Sequence, residues 1–509
     1  MPAAPGDDIA ALAKGGRTNF MGFLLRLAAR LPFLFIAGRL YGPELLGRFA
    51  YAVLVVEFAA QLATLGLKRG LAQQLSATDK PHVFVVWDAM LAALLASAVA
   101  SILLVVFPRA MFPNSPINGV EWLLPLIVFA VAGSDVALAA LAYRHNVAAT
   151  VKARAIIEPW TLSIAAFGLS FLSSRDGLII AYVLSMVAAL AASLWPLMKS
   201  YGMPRGWRPE PGTLWALARR NTPLAAADAI EWGSRRLDIA ILGLFFSPAI
   251  VGVYYVAQQV ASVPQKLKTS FDPILGPVIT QKLAEGDKQA VARQVRQVGF
   301  WIIAAQAAAA LSLGIPGAAV LGLMGEEFIS GTGALAFLLA AEAVAATAAV
   351  SEAALVYVAR HRNLIISALM VAVQAALSVA LIVGIREAGL PMAYQAAGPA
   401  IALTLALALA SVLKARLLGR ILEAPVQGWR WPLIWAGTAA GLVGYAFSLL
   451  PRSLEWAQLS FGIPATLVAF GIVVWKLGFT QEDRALFRIG PRGEKATLPP
   501  PPGVVPPDR

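Results

Sequence analysis

Apolar runs of about 20 residues, the length that crosses a bilayer as a helix, follow one another along almost the whole chain. They fall near residues 18–41, 45–66, 82–107, 120–143, 155–173, 178–198, 222–246, 249–272, 298–322, 333–358, 363–385, 391–413, 431–450 and 456–477. Runs of this length exceed those of buried strands and read as helices. The pattern therefore predicts an all-α, polytopic membrane protein of about fourteen transmembrane helices.

The polar stretches between the runs divide the series. Residues 201–213 hold Pro204, Gly206, Pro209, Pro211 and Gly212 and read as a linker between two halves. The expected organisation is a cytoplasmic N-terminal segment (1–17), a first six-helix bundle (18–200), a linker (201–214) and a second six-helix bundle (215–420). Helices thirteen and fourteen (421–480) and a Pro-rich cytoplasmic tail (481–509) complete it. Residues 281–298 read as an amphipathic surface helix, and the tail as disordered. The first eight residues carry Asp7 and Asp8 and no Lys or Arg, unlike the start of a cleavable signal peptide.

One pattern occurs twice. Gly38, Pro43 and Gly47 recur as Gly243, Pro248 and Gly252, each 205 residues later. Flanking positions agree as well: Ile36 with Ile241, Tyr41 with Phe246, Leu46 with Val251, Phe49 with Tyr254, Ala52 with Ala257. Each copy sits where one apolar helix gives way to the next. Six helices precede the second half, an even number, so both halves enter the membrane in the same direction. The sequence thus predicts two parallel repeats related by a pseudo-two-fold along the membrane normal, with a substrate site between them.

Composition supports the membrane class. Apolar residues make up 59% of the chain and charged residues 14%, against about 45–50% and about 25% in soluble domains. The net charge of +13 would suggest nucleic acid in a soluble protein. Here Lys and Arg collect in alternate loops, the asymmetry of cytoplasmic loops, which predicts both termini inside and no nucleic-acid partner. Cysteine is absent and the three histidines lie at predicted helix ends or loops, a poor set for a metal. No phosphate-binding loop of the G-x-x-x-x-G-K-[ST] type, no G-x-S-x-G and no H-E-x-x-H occurs. A carrier without cofactors, and not an enzyme, is expected.

Charges inside the spans point to the site, because an ionisable group at mid-bilayer costs roughly 3 to above 10 kcal/mol and faces a cavity or a partner. Arg26 and Arg30 are four apart in helix one, hence on one face. Arg235 and Arg236 fall in helix seven, and Lys266 and Lys268 in helix eight. The repeat offset carries Arg30 onto Arg235. Asp228, Glu231, Arg235 and Asp238 form one helical stripe, so Arg235 is either neutralised by Glu231 or available to an anion. Lys266 and Lys268 either snorkel to the interface or face the cavity. Guanidinium groups suit phosphate, since their planar fork donates bidentately. Glu57 and Asp135, near mid-span, are candidates for a coupling ion, a proton or a charge pair, and Glu158 before Pro159 suggests a kinked helix five.

The run from Leu40 through Tyr41, Gly42, Pro43, Glu44, Leu45, Leu46, Gly47, Arg48, Phe49 and Ala50 to Tyr51 resembles the N-terminal signature of bacterial polysaccharide (O-antigen type) flippases. The run from Arg236 to Gly243, continuing through Pro248, Gly252, Tyr254 and Ala257, is similar to that family's mid-chain signature. The family lies in the multidrug/oligosaccharidyl-lipid/polysaccharide exporter superfamily. The resemblance implies two six-helix bundles around a central cationic cavity, working by alternating access. It implies transport of an undecaprenyl-diphosphate-linked oligosaccharide across the bacterial inner membrane, and partners that include membrane lipids and a glycan polymerase. By the same resemblance Arg26, Arg30, Lys266 and Lys268 meet the diphosphate. Lipid II flippases of the superfamily carry Arg followed by an acidic residue in helix one. Here Leu27 follows Arg26 and Leu31 follows Arg30, which favours the polysaccharide branch. The alternatives are a lipid II flippase and a cation-coupled multidrug antiporter, the latter disfavoured by the arginines of helices one and seven.

Overall fold

The structure, a computed structural model, describes residues 31–117, 119–269 and 286–480 with Ile279, Leu283 and Asp483; of Glu231 and residues 266–269 it describes the backbone alone. Arg26 and Arg30 lie outside the described residues. Among these residues every regular element is helical, and nine helical stretches are long and apolar enough to cross a membrane.

The chain enters in helix α1 (31–41), whose last turn, Ala37–Tyr41, is a π-turn. Gly42, at φ 75°, a conformation that disfavours any side chain, reverses it into α2 (Gly42–Ala63). Then come α3 (Leu67–Ser76), α4 (His82–Val106), α5 (Ile127–Tyr143), α6 (Glu158–Ser170) and α7 (Gly177–Tyr201). After the Pro-Gly stretch follow α8 (Pro211–Ser234), α9 (Leu237–Phe245), α10 (Pro248–Thr269), α11 (Lys288–Gly314), α12 (Thr332–Val358), α13 (Arg360–Glu387) and α14 (Met392–Leu422). Last come α15 (Pro432–Ser448) and α16 (Ile463–Val473), which pair with each other and lean on α11. Within the first bundle α2 packs on α4, α5 and α7; within the second α12 packs on α10, α11 and α14. The bundles meet chiefly where α2 crosses α10.

The apolar core reveals how they meet. One cluster is shared: Phe49, Tyr51 and Tyr182 of the first bundle pack with Ile241, Tyr254 and Phe328 of the second. All lie toward the end marked by the two Gly-Pro turns, here the hairpin end. Toward the other end the core splits. One cluster, around Leu67, Leu71, Val86 and Leu141, belongs to the first bundle with Leu217 of α8. Another, around Phe300, Val350, Leu418 and Phe470, holds the second bundle and the last two helices. The bundles share one core at the hairpin end; at the other end their cores are separate, and contact passes through α8, which packs on α2, α3 and α4 with Ala225 and Asn221 against Gly66 and Gly70.

Three local expectations change. The run at 222–246 is not one helix: α8 ends at Ser234 and α9 begins at Leu237, with Arg235 and Arg236 at the break. Two adjacent cations in an apolar stretch can reach different partners once the backbone is released there, at the cost of the ladder bonds. The surface helix expected over 281–298 is, from Lys288, the first turns of α11, capped by Asp287 accepting from the Ala290 amide at 2.8 Å. Nothing between 288 and 298 breaks it. The distortion expected at Pro159 is a π-helix over Val151–Ile157, the turn that Pro159 deprives of a donor.

Candidate functional site

The repeated pattern is the contact between the bundles. A Cβ built on Gly47 would lie 1.7 Å from the Pro248 carbonyl oxygen, and one on Gly252 would lie 2.0 Å from that of Pro43. The two copies thus cross backbone to backbone, each glycine against the other copy's proline. Such reciprocity is what a two-fold contact demands, because the same position must be small on both sides. Gly243 lies under the Tyr51 ring, and Gly38 against Met324.

Two polar latches flank the crossing. Asn114, in the loop between α4 and α5, donates from Nδ2 to the carbonyls of Gly243 at 2.8 Å and Phe246 at 3.0 Å. Arg39 of the first bundle donates from Nε to Leu323 O at 2.9 Å and from Nη2 to Gly322 O at 3.1 Å, in the matching loop of the second. The loop carrying Asn114 is itself held: Arg48 donates to Pro116 O at 2.7 Å and pairs at 2.8 Å with the buried Glu121.

Beyond the crossing, a cavity of about 470 Å³ opens in the first bundle, lined by Glu57, Lys68, Asp135, Arg154, Glu158 and Trp232 among others. Arg154 is its hub. It pairs with Asp135 and, at 2.8 Å, with Glu158, one turn ahead on the same helix. Lys68 stands 3.7 Å from Asp135. Glu57 accepts from the Tyr182 hydroxyl at 3.0 Å and faces Arg236 at 3.4 Å. Arg236 lies over the Trp232 ring, 4.4 Å from its centroid, and Trp232 packs on Phe58. Opposite charges in contact make such burial tolerable, and removing one partner strands the other, at a cost of roughly 3–5 kcal/mol for buried pairs.

Of the residues singled out in the sequence, Glu57, Asp135 and Glu158 line this cavity, and Arg236 reaches it through Glu57. Arg235 is exposed at the helix break, where its carbonyl accepts weakly from Gln258 at 3.5 Å. Asp238 does not continue a stripe with it. The break turns Asp238 into the protein, where it is fully buried and accepts from Tyr254 at 2.8 Å and Gln258 at 3.0 Å. Asp228 pairs instead with Arg69 of α3, at 2.9 Å. The side chains of Glu231, Lys266 and Lys268, like Arg26 and Arg30, lie outside what the structure describes. Four participants escaped the sequence reading: Lys68, Arg154, Tyr182 and Trp232. Of these only Arg154 carried a local signal, its spacing of four from Glu158. Among the described residues the lining sets Glu57, Asp135 and Glu158 against Lys68 and Arg154, with Arg236 paired to Glu57 beside it, whereas a cationic cavity was expected.

Two joined helical bundles around a charged cleft define a fold shared with membrane transporters. A lipid II flippase, MurJ, in an inward closed conformation superposes with a TM-score of 0.71 at 10% identity, covering 90% of this chain and all of its own. An inward-facing multidrug resistance MATE transporter of the MOP superfamily superposes with a TM-score of 0.61 at 14% identity, over 79% of this chain and 98% of its own. A MATE structure in a straight conformation gives a TM-score of 0.53 at 15% identity, over 82% of this chain and 96% of its own. No curated protein matches the chain in sequence. Residues 13–281 match the family described as polysaccharide biosynthesis protein, and the chain belongs to that family.

Proposed function

We propose that this protein is a flippase. It carries an undecaprenyl-diphosphate-linked oligosaccharide from the cytoplasmic to the outer leaflet of a bacterial inner membrane by alternating access. The observation that carries the reading is the charged cavity beyond the crossing, where Glu57 of the first bundle meets Arg236 and Trp232 of the second comes into the lining. Loop charges put the hairpin end outside, with both termini in the cytoplasm. The cavity then lies on the cytoplasmic side of the crossing, the side on which lipid-linked repeat units are made. The diphosphate meets Arg236, with Arg26, Arg30, Arg235, Lys266 and Lys268 as further cationic candidates. The sugars occupy the wet cleft, and the prenyl chain stays in lipid. Parting of the Gly47–Pro248 and Pro43–Gly252 crossing releases the head group outside, where a glycan polymerase takes it up. Binding and reorientation suffice, so no bond is made or broken and no cofactor is required.

The test is a deletion strain analysed by mass spectrometry. Undecaprenyl-diphosphate oligosaccharide should accumulate and surface glycan should fall. A copy carrying Arg236→Ala should reach the membrane yet fail to restore the glycan. Normal glycan in the deletion strain would refute the flippase reading.

A second reading, a lipid II flippase, is kept because the lipid II flippase MurJ has the same fold over 90% of this chain. Depletion separates the two: loss of lipid II transport lyses cells, whereas loss of a polysaccharide flippase removes only a surface glycan.

A further inference from the structure

Arg236 is presented to the cleft in an unusual way. It sits at the α8–α9 break, so its backbone is not constrained to a helical face. Its guanidinium carbon lies 4.4 Å from the Trp232 ring centroid, a cation–π contact that engages no N–H as a hydrogen-bond donor to an oxygen. The N–H edge is met by a carboxylate of the other bundle, Glu57 on α2, at 3.4 Å. A charge-assisted N–H to carboxylate bond is ordinarily about 2.7–2.9 Å, so this pair is loose. Arg236 is 39% exposed and Glu57 26%, so water and an incoming anion can reach both. Glu57 does not depend on Arg236 for its place, because its other oxygen accepts from Tyr182, buried in the first bundle.

We propose that Glu57 is an internal competitor that tunes the grip of Arg236 on the substrate diphosphate, an inference that rests on the flippase reading above. In the empty protein the carboxylate occupies the edge of the guanidinium. The diphosphate, with more charge and more acceptor oxygens, displaces it, while Tyr182 keeps Glu57 in position. When the head group leaves, Glu57 recaptures Arg236 and opposes rebinding. The carboxylate thus weakens binding and speeds release, which a carrier needs, since a ligand held too tightly is not delivered. Because Glu57 and Arg236 come from different bundles, each exchange also makes or breaks a link across the cleft.

The experiment uses the full-length protein in detergent with farnesyl diphosphate as the probe, and the deletion strain for transport. Glu57→Gln keeps the shape and a hydrogen bond to Tyr182 but removes the charge. It should bind the probe about threefold more tightly or better, the scale set by a partly exposed ion pair, and should restore surface glycan more slowly. Arg236→Ala should weaken binding, and adding Glu57→Gln to it should change nothing further. Glu57→Ala is read in the same way if Glu57→Gln is not recovered from membranes. Unchanged or weaker binding by both Glu57 variants, with Arg236→Ala still weakened, would overturn the competitor role while leaving the diphosphate at Arg236. Unchanged binding by Arg236→Ala would overturn the diphosphate site and the competitor together.

Discussion

Individual carboxylates in this protein are specified by what surrounds them, and Asp483 is the clearest case. It is fully buried just beyond the last helix and accepts from Arg430 at 2.7 Å, Gln297 and Trp301 at 3.0 Å, and the Thr480 amide and hydroxyl at 2.9 Å. Arg430 in turn lies over the Phe300 ring, at 4.0 Å. Burial alone raises the pKa of such a group, but the hydrogen bonds, that of Arg430 first, outweigh it and hold the carboxyl well below the ordinary carboxylate range. A group with a depressed folded pKa stabilises the protein above its unfolded pKa, about 3.9 for Asp, and loses that contribution as pH falls through the folded value. Asp483→Asn should therefore lower the melting temperature in detergent at pH 7, by an amount corresponding to about 2–3 kcal/mol. The gap to the unsubstituted protein should narrow only below about pH 4. A gap that closes near pH 6 would mean that another group carries the effect. The same logic separates Arg154 from Arg236. The first is held by two carboxylates of its own bundle, the second by one carboxylate across the cleft. Hence Arg154 reads as a brace and Arg236 as a hand.

At the scale of elements, the repeated Gly-Pro-Gly turn is a packing device as well as a turn. Helices α2 and α10 approach so closely that Gly47 and Gly252 touch backbone. Gly47→Ala and Gly252→Ala should each cost at least the roughly 1–3 kcal/mol typical of overpacking, seen as a lower melting temperature. Gly168→Ala is the control: nothing lies within 4 Å of its Cβ position, so helix propensity should leave stability equal or higher. Equal losses at all three positions would show that the crossing is not what the glycines serve. The turns were legible in the sequence because a duplicated interface writes the same residues twice. The helices were legible because lipid demands long apolar runs. What stayed hidden depends on pairing between distant elements. Nothing local announces that Asp135 meets Arg154, that Tyr182 holds Glu57, or that residue 228 belongs with Arg69 and not with Arg235. The break at Arg235 and Arg236 was hidden for another reason. Its one local signal, the Gly233–Ser234 pair just before it, is set in a run apolar enough to read as one span.

For the whole molecule, the arrangement of cores and latches sets which end can open. A shared apolar core, the glycine crossing and two latches hold the hairpin end, whereas at the far end the two cores are separate and α8 bridges them, with Arg69 paired to Asp228. Under the proposed alternating access the first set must give way, and the latches are its polar part. Both side chains belong to the first bundle and reach main-chain carbonyls of the second: Asn114 those of the second Gly-Pro turn, Arg39 those of the loop at Gly322 and Leu323. Hydrogen bonds to carbonyls form without fixing side-chain partners and contribute about 0.5–1.5 kcal/mol each. Removing all four, with Asn114→Ala and Arg39→Ala together, should shift the population toward an open hairpin end without disturbing either bundle's core. The chain has no cysteine, so spin labels can be placed at Ser115→Cys and Ser247→Cys alone. Pulsed electron resonance distances between them should lengthen or broaden in the double variant, and less so in each single one. An unchanged distance distribution would mean that the apolar crossing alone keeps this end shut. The glycines would then be the gate itself, and the latches would serve only to position the loops.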